Sequence, residues 1–575
     1  MKRAILFICL IVVVGLLVAC GNGGTDNGNE ENTAQGNANA PDTPDQSGGP
    51  ENINWDEHVT YTWWTIFTPP NDYYTDFNDN PVNRYLENRF NVTFDFQQPV
   101  VGTEGDSFAL MAGSGRFTDV MSLSTYSGSI AQLYYDGIII DIAEWLDYMP
   151  NLRNMLETQP HIARGSFDDN GRILTLPQFS DDETLAWAGL MYRHDILETM
   201  TDGNVQFPSG NDIPTTLADW EYMLPLMLAY FEAAGFADFA PLILPALPSG
   251  MFHWGELMST FGGYYLFYVR DDVVHAGMME PAMYEFTRTM REWFENGWIH
   301  QDFLSRNQDM FFMPNPPLVY GGAAGVFYGM GMHIGDRLSM PEHGMHFDIR
   351  PISSPMADGI THRDMLRRST GHFDMVLGNA VYSGNPDIGR FLSIMDIFYT
   401  VEGGLLRQTG ITADQAVPGD PVLEAMGMPE GSYYLDENGI AVFHPNISES
   451  GGHIDATAVS GLRFPGMAAT SFANAVAPQE FADAMDIWGI QDLYTEVFPL
   501  PPVLSPTAEE DAVLSANEAR FTDHINQNMA MFITGTAPLN EETWESFLNQ
   551  LRDFGYEDNR DIWQAVYDRY LVRGQ

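Results

Sequence analysis

Apolar and polar residues are distributed differently in successive parts of the chain. Residues 4–18 form one unbroken apolar run, residues 21–50 carry no apolar period, and from Ile53 onward β-branched and aromatic stretches alternate with helical ones. Val59–Trp64 reads VTYTWW, the pattern of a buried strand. Pro81 opens a helix that runs through Tyr85 and Leu86 to Arg89, with Asn80 as its N-cap. Val92–Phe96 is a second strand, Ser107–Ala112 is helical and closes at Gly113, and Asp119–Leu123 is a third strand followed by the turn Ser124–Gly128. This alternation predicts an α/β lobe with a mostly parallel sheet. Ligands on such sheets gather at the carboxyl ends of the strands, so the loops after Trp64 and Leu123 carry the candidate site. Further on, Thr216 caps a helix reaching Leu228, and Tyr433–Leu435 and Ile440–Phe443 flank the turn Asp436–Gly439 as a hairpin. Trp63 and Trp64, as neighbours on a strand, point to opposite faces, so at most one of them is expected in the core.

The first segment changes the picture from a plain globular protein to an exported one. Lys2 and Arg3 precede the apolar run, which is too short to cross a membrane and has the wrong flanks for an anchor. It ends in Leu17, Val18, Ala19 and Cys20, followed by Gly21, which resembles the lipobox of bacterial lipoproteins. That resemblance implies cleavage of residues 1–19 and lipidation (a palmitate-bearing anchor) of Cys20, holding the protein to the outer face of a Gram-positive cell membrane through lipid alone. The only cysteines are Cys9 and Cys20, so the folded part has no disulfide and no thiolate metal site. Residues 21–50 are a polar tether whose root-mean-square span is on the order of 30 Å.

Composition then removes chemistries. The 575 residues hold 78 acidic and 26 basic side chains, a net charge of −52, and the only lysine is Lys2. After cleavage, 24 arginines would face 78 acids, a net charge of −54 with no lysine. That excludes a phosphate-loop lysine and Schiff-base chemistry. The negative field argues against nucleic acid and suits a saline or alkaline habitat, because arginine keeps its charge where lysine titrates. Neither a G-x-S-x-G elbow nor an H-E-x-x-H motif is present. Asp76, Asn78 and Asn80 superficially copy a calcium loop, but Pro81 stands where glycine is required. Asp168–Gly171 reads as a turn, and His343 with His346 lacks a third metal ligand. The doublet Arg367 and Arg368 reads as an offset to neighbouring carboxylates. No metal and no cofactor is expected.

The order of segments resembles the extracellular solute-binding proteins of carbohydrate ABC importers, in their large Gram-positive lipoprotein branch. The resemblance rests on Asp79–Val82 with Arg84–Glu87, and on Ala112–Gly115 leading to Asp119 and Val120, with Thr118 where proline is usual. It continues through Asp136–Ile142 with Pro150–Leu152, Gly378–Ala380, Asn385 and Pro386, Glu402–Leu406, Phe532–Gly535 and Trp544–Gly555. It implies an α/β, two-lobed, periplasmic-binding-protein-like fold with a ligand cleft and a hinge between lobes. Lobe 1 would take residues 53–172 and 365–415, and lobe 2 residues 173–364 and 416–575 with the C-terminal helices. The implied function is capture of an oligosaccharide, a neutral one by default, by lobe closure and delivery to the permease subunits of an ABC transporter, by a monomer without enzymatic activity. A lipid-anchored glycoside hydrolase or lyase is the alternative, and a surface adhesion protein the third reading.

Sugar binding needs flat apolar faces beside hydroxyl partners. Trp64, Ser124, Tyr126, Trp187, Trp254 and Tyr328 are the candidate ligand residues by position, each weighed against ordinary core packing. After Tyr328 the chain reads Gly329–Met332, where the family often carries a tryptophan.

Overall fold

The chain folds around strands that begin where the β-branched and aromatic stretches begin. The computed structural model describes residues 50–66, 73–100, 103–180, 188–246, 254–305, 315–360, 378–448, 459–468, 483–488 and 497–574, apart from 125, 127, 265, 337, 438–440, 462, 485 and 502. Cys20, Trp187, Arg367 and Arg368 lie outside them.

Strands β1 (Val59–Trp64), β2 (Val92–Gln97) and β3 (Val120–Ser122) pair in parallel, with Trp64 beside Gln97 and Met121. The chain continues through β4 (Gln178–Ser180), β5 (Ala188–Arg193), β6 (Ala240–Leu242), the hairpin β7 (Phe267–Arg270) and β8 (Val273–Ala276), β9 (Ala324–Met330) and β10 (Ile349–Pro351). It then returns with β11 (Asn379–Val381), giving a first sheet of order β11-β3-β1-β2 in which β11 alone is antiparallel. The second sheet has the order β10-β5-β9-β6, with β6 and β9 parallel. Strands β12 (Tyr433–Leu435) and β13 (Ala441–Phe443) form the predicted hairpin. Strand β14 (Gly466–Ala468) runs parallel to β4, and β15 (Val497–Pro499) pairs with β7.

Local signals act as the sequence predicts, with shifted ends. Asn80 Oδ1 accepts the Val82 N–H at 2.9 Å and opens the helix Pro81–Phe90. The next helix spans Glu104–Ser114, beyond Ser107–Ala112 on both sides, and stops at Gly115, whose φ of 64° is left-handed. The helix capped by Thr216 and Asp219 runs past Leu228 to Ala234 and ends at Gly235.

One expectation fails. Trp63 and Trp64 are both buried, at 0% and 8% exposure. Trp63 packs 5.3 Å from Phe96 and 5.5 Å from Phe464, whereas Trp64 faces Phe108 on the other side at 6.2 Å. A largely parallel sheet is covered on both faces, so neighbouring side chains can both be interior. Phe464 also stacks on Phe398 at 4.8 Å, so the chain past residue 415 still packs on the first sheet.

With lysine absent, arginine makes interior connections. Arg390, 1% exposed, donates to the carbonyls of Asn54, Glu57, Phe90 and Asn91 at 2.6–3.1 Å. Arg407 donates to Phe464 O at 2.8 Å. At the C-terminus the helix Tyr556–Leu571 lies against the β7–β8 hairpin, with Tyr556 stacked on Phe267 at 4.9 Å and Gln564 accepting the Val274 N–H. Its Arg569 joins Asp169 at 2.7 Å and Glu510 at 2.6 Å, and the following Arg573 joins Asp169 at 2.6 Å and Val503 O at 2.7 Å. The turn Asp168–Gly171 forms as predicted, and it is also the anchor of this clasp, with Arg172 held on Asp168 at 2.6 Å. Among the described residues no helix is long and apolar enough to cross a membrane.

Candidate functional site

The carboxyl ends of β1 and β3 bring two of the predicted residues together through a third. Trp64 ends β1, and Tyr126 follows β3 in a tight turn closed by its own N–H on Leu123 O at 2.9 Å. Phe108, on the helix Glu104–Ser114, stands between them, 6.2 Å from the Trp64 ring and 5.2 Å from the Tyr126 ring. Of that helix only Phe108 is buried, and its other residues are half-buried or exposed. Gly128 leaves the space that the Tyr126 hydroxyl occupies: a Cβ there would stand 2.4 Å from that oxygen. Ser124 is exposed, its hydroxyl 3.2 Å from that of Ser122.

Tyr126 is half-buried, and burial together with the nearby Asp136 charge raises its hydroxyl above the ordinary tyrosine range, so it stays a neutral donor. Trp64 Nε1 is buried with no hydrogen-bond partner among the described residues, as are the indole nitrogens of Trp145 and Trp220. An indole N–H left so costs roughly 1–3 kcal/mol of desolvation, a cost that a ligand oxygen would remove. The rim therefore offers aromatic surfaces, a hydroxyl and a buried donor, the means to hold a polar ring without reacting with it.

The remaining predicted residues are placed differently. Tyr328, on β9, is 2% exposed and its hydroxyl is 3.4 Å from Ala188 O, so it is a core residue and offers no open face here. Trp254 opens the helix Trp254–Ser259, which follows β6. Missing from the sequence reading is Trp488, whose Nε1 donates to Leu190 O at 2.9 Å and whose ring lies against Gly189. Its only signal was an unassigned tryptophan.

The calcium-like segment is engaged internally. Asp76 Oδ1 accepts from the Asn78 N–H and from Gln98 Nε2, Asn78 brackets Phe96 through both its N–H and C=O, and Glu87 accepts the Phe94 N–H. Among the described residues no group of three His, Cys, Asp or Glu could hold a metal ion.

No protein-family model and no curated protein matches the chain. Solved structures do. A human-milk-oligosaccharide-binding, ABC-transporter-associated solute-binding protein from Bifidobacterium longum infantis is similar at TM-score 0.66 and 15% identity, over 89% of this chain and 99% of that one. The Streptococcus pneumoniae ABC-transporter substrate-binding protein FusA, in complex with kestose, is similar at TM-score 0.65 and 18% identity, over 89% and 99%. The alginate-binding protein AlgQ2 is similar at TM-score 0.64 and 17% identity, over 89% and 98%. With its paired α/β sheets and these likenesses over nearly the whole body, the chain has the periplasmic-binding-protein-like fold of ABC-transporter solute-binding proteins.

Proposed function

We propose that the protein is an exported substrate receptor that captures an oligosaccharide and delivers it to an ABC permease, without transforming it. The observation that carries this reading is the likeness over 89% of the chain to proteins whose names specify saccharide ligands. The aromatic rim of Trp64, Phe108 and Tyr126 supports it, because such surfaces match the C–H faces of sugars while Ser124 and the indole N–H meet hydroxyls. Trp187 and Trp254 remain candidate ligand residues by their position in the sequence. Tyr328 is left out because it is interior.

In this reading, residues 53–172 and 365–415 supply most of one lobe, residues 173–364 most of the other, and closure about the crossovers traps the sugar. The lipobox resemblance supports an anchor at Cys20, a location on the outer face of a Gram-positive membrane and a monomer on a tether.

The test is a thermal-shift and calorimetric screen of the full chain in mild detergent against oligosaccharides, with chromatography of the recovered sugar. A raised midpoint with intact sugar is expected, and Tyr126→Ala should weaken that binding about tenfold or more while leaving the unliganded midpoint nearly unchanged. Cleaved sugar would favour the hydrolase or lyase alternative. No response to any saccharide would overturn the receptor reading.

A further inference from the structure

A cavity opens in the connection that follows β1, near the carboxyl end of β2. It has a volume of about 430 Å³ and is lined by Tyr73, Tyr74, Thr75, Asp79, Arg84 and the Pro421–Val422 step. Its walls belong to the connection from β1 to the helix Pro81–Phe90, which is pinned to the end of β2 by Asn78 on Phe96. This volume falls in the range of small-ligand sites, about 300–1,000 Å³.

The side chains are held in place rather than free on a surface. Asn80, fully buried, donates to the Tyr74 hydroxyl at 3.0 Å while its Oδ1 caps the helix. Arg84 lies between Asp79 at 2.8 Å and Asp420 at 3.0 Å. The Asp420 carboxylate is 1% exposed and also caps Val422 and Leu423, so it is committed to the fold. Asp79, 54% exposed, is the carboxylate that faces outward.

We propose that this cavity is a subsite for one neutral sugar ring of the same ligand, gripped by tyrosine faces and by the Asp79–Arg84 pair bonding adjacent hydroxyls. The proposal rests on the receptor reading and narrows it. Neutrality follows from the charges of the lining: Arg84 is matched by two carboxylates, Asp79 and Asp420, so no net positive charge awaits an anion there. In the sheet β1 lies between β2, to whose end the cavity's connection is pinned, and β3, which Tyr126 follows, so a ligand reaching both Tyr126 and Tyr73 would cross the end of β1 and be longer than one sugar ring.

The experiment is calorimetry of the full chain with neutral fructo-, malto-, xylo- and milk oligosaccharides of graded length, and with an alginate tetrasaccharide as the acidic arm. Tyr73→Ala and Asp79→Asn should each weaken the best neutral oligosaccharide about tenfold and leave the shortest member of that series nearly unaffected. An unfolding scan of each variant guards against simple misfolding, and agreement between two unrelated substitutions makes the loss site-specific. If Tyr126→Ala weakens binding while Tyr73→Ala and Asp79→Asn do not, the subsite is refuted and the receptor reading stands. If the acidic saccharide binds best, neutrality is refuted. If no saccharide binds the unaltered chain, the receptor reading fails and the subsite with it.

Discussion

The aromatic rim and the C-terminal clasp differ in how densely their charged and polar groups are paired. At the rim, Trp64 Nε1 is buried without a partner, Ser124 is exposed, and the covering helix contributes one buried side chain. At the clasp, Asp169 receives two guanidinium groups and Glu510 receives one, with contacts of 2.6–2.9 Å. Structures satisfy their buried polar groups as a rule. Orphaned nitrogens also occur in the scaffold, at Arg573 Nη2 of the clasp itself and at the indoles of Trp145 and Trp220, so the rim is set apart by its exposed hydroxyl and lightly buried helix, and the clasp by its density of ion pairs. The one region is open and the other is cross-linked.

Substitutions can break that contrast, and the largest effect belongs to the clasp. Arg573 is 6% exposed, and Arg573→Ala removes its bonds to Val503 O and to Asp169, which keeps Arg569, so the change should remove about 1–3 kcal/mol of stability in denaturant unfolding. Sugar affinity of the folded fraction should hardly change. An equal loss of affinity and stability would mean that the clasp also sets the open-to-closed equilibrium.

Acid should find the same region next. The hydrogen bonds from Arg569 hold the Glu510 carboxyl below the ordinary range, and those of Glu510 and Asp169 hold Arg569 above its own. A lowered carboxyl pKa stabilises the fold above the unfolded value near 4.5 and loses that contribution as pH falls through the folded one. An unfolding midpoint measured from pH 6 downward should therefore drop less in Glu510→Gln than in the native chain. Identical curves would show the pair to be energetically idle.

Trp64→Phe sharpens the rim side. It deletes the partnerless N–H and keeps an aromatic ring, so unliganded stability should hold or rise by up to about 1 kcal/mol while sugar affinity falls by a similar amount. Movement of both in the same direction would remove the indole from the ligand's partners. Smallest of all is Arg288→Gln on the outer face of the helix Pro281–Glu295. Its pairs with Glu285 and Glu292 are half-exposed, and the change should stay within about 0.5 kcal/mol, shrinking further in salt.

Much of the scaffold was legible because its signals are local. The β-branched run of β1, Asn80 before Pro81, Thr216 three residues before Asp219 and the 433–443 hairpin each concern residues within one turn or one loop. The clasp was not legible, since Asp169 and its arginines are 400 and 404 positions apart and one acidic residue among 78 carries no mark of its partner. Tyr328 was misjudged for a related reason: a tyrosine after Gly325–Phe327 fits a loop edge or a buried strand equally well until β5 and β9 pair over it. The place of Trp64 and Tyr126 at strand ends was readable, because the direction of a parallel sheet already fixes at which end of β1 and β3 the following loops lie. Tyr73 and Tyr74 escaped notice because their pocket needs Pro421, from a distant helix, to exist.

Arg390 has a mechanical consequence. Its guanidinium grips the carbonyls of Asn54 and Glu57 on one side and those of Phe90 and Asn91 on the other. A force applied to the chain ahead of residue 50 thus reaches the folded body through several hydrogen bonds loaded in parallel, and it is transmitted to the root of β2 rather than to the rim. Pulled by its N-terminal segment, the protein should yield first by slipping off one arginine, with the loops after β1 and β3 still undisturbed.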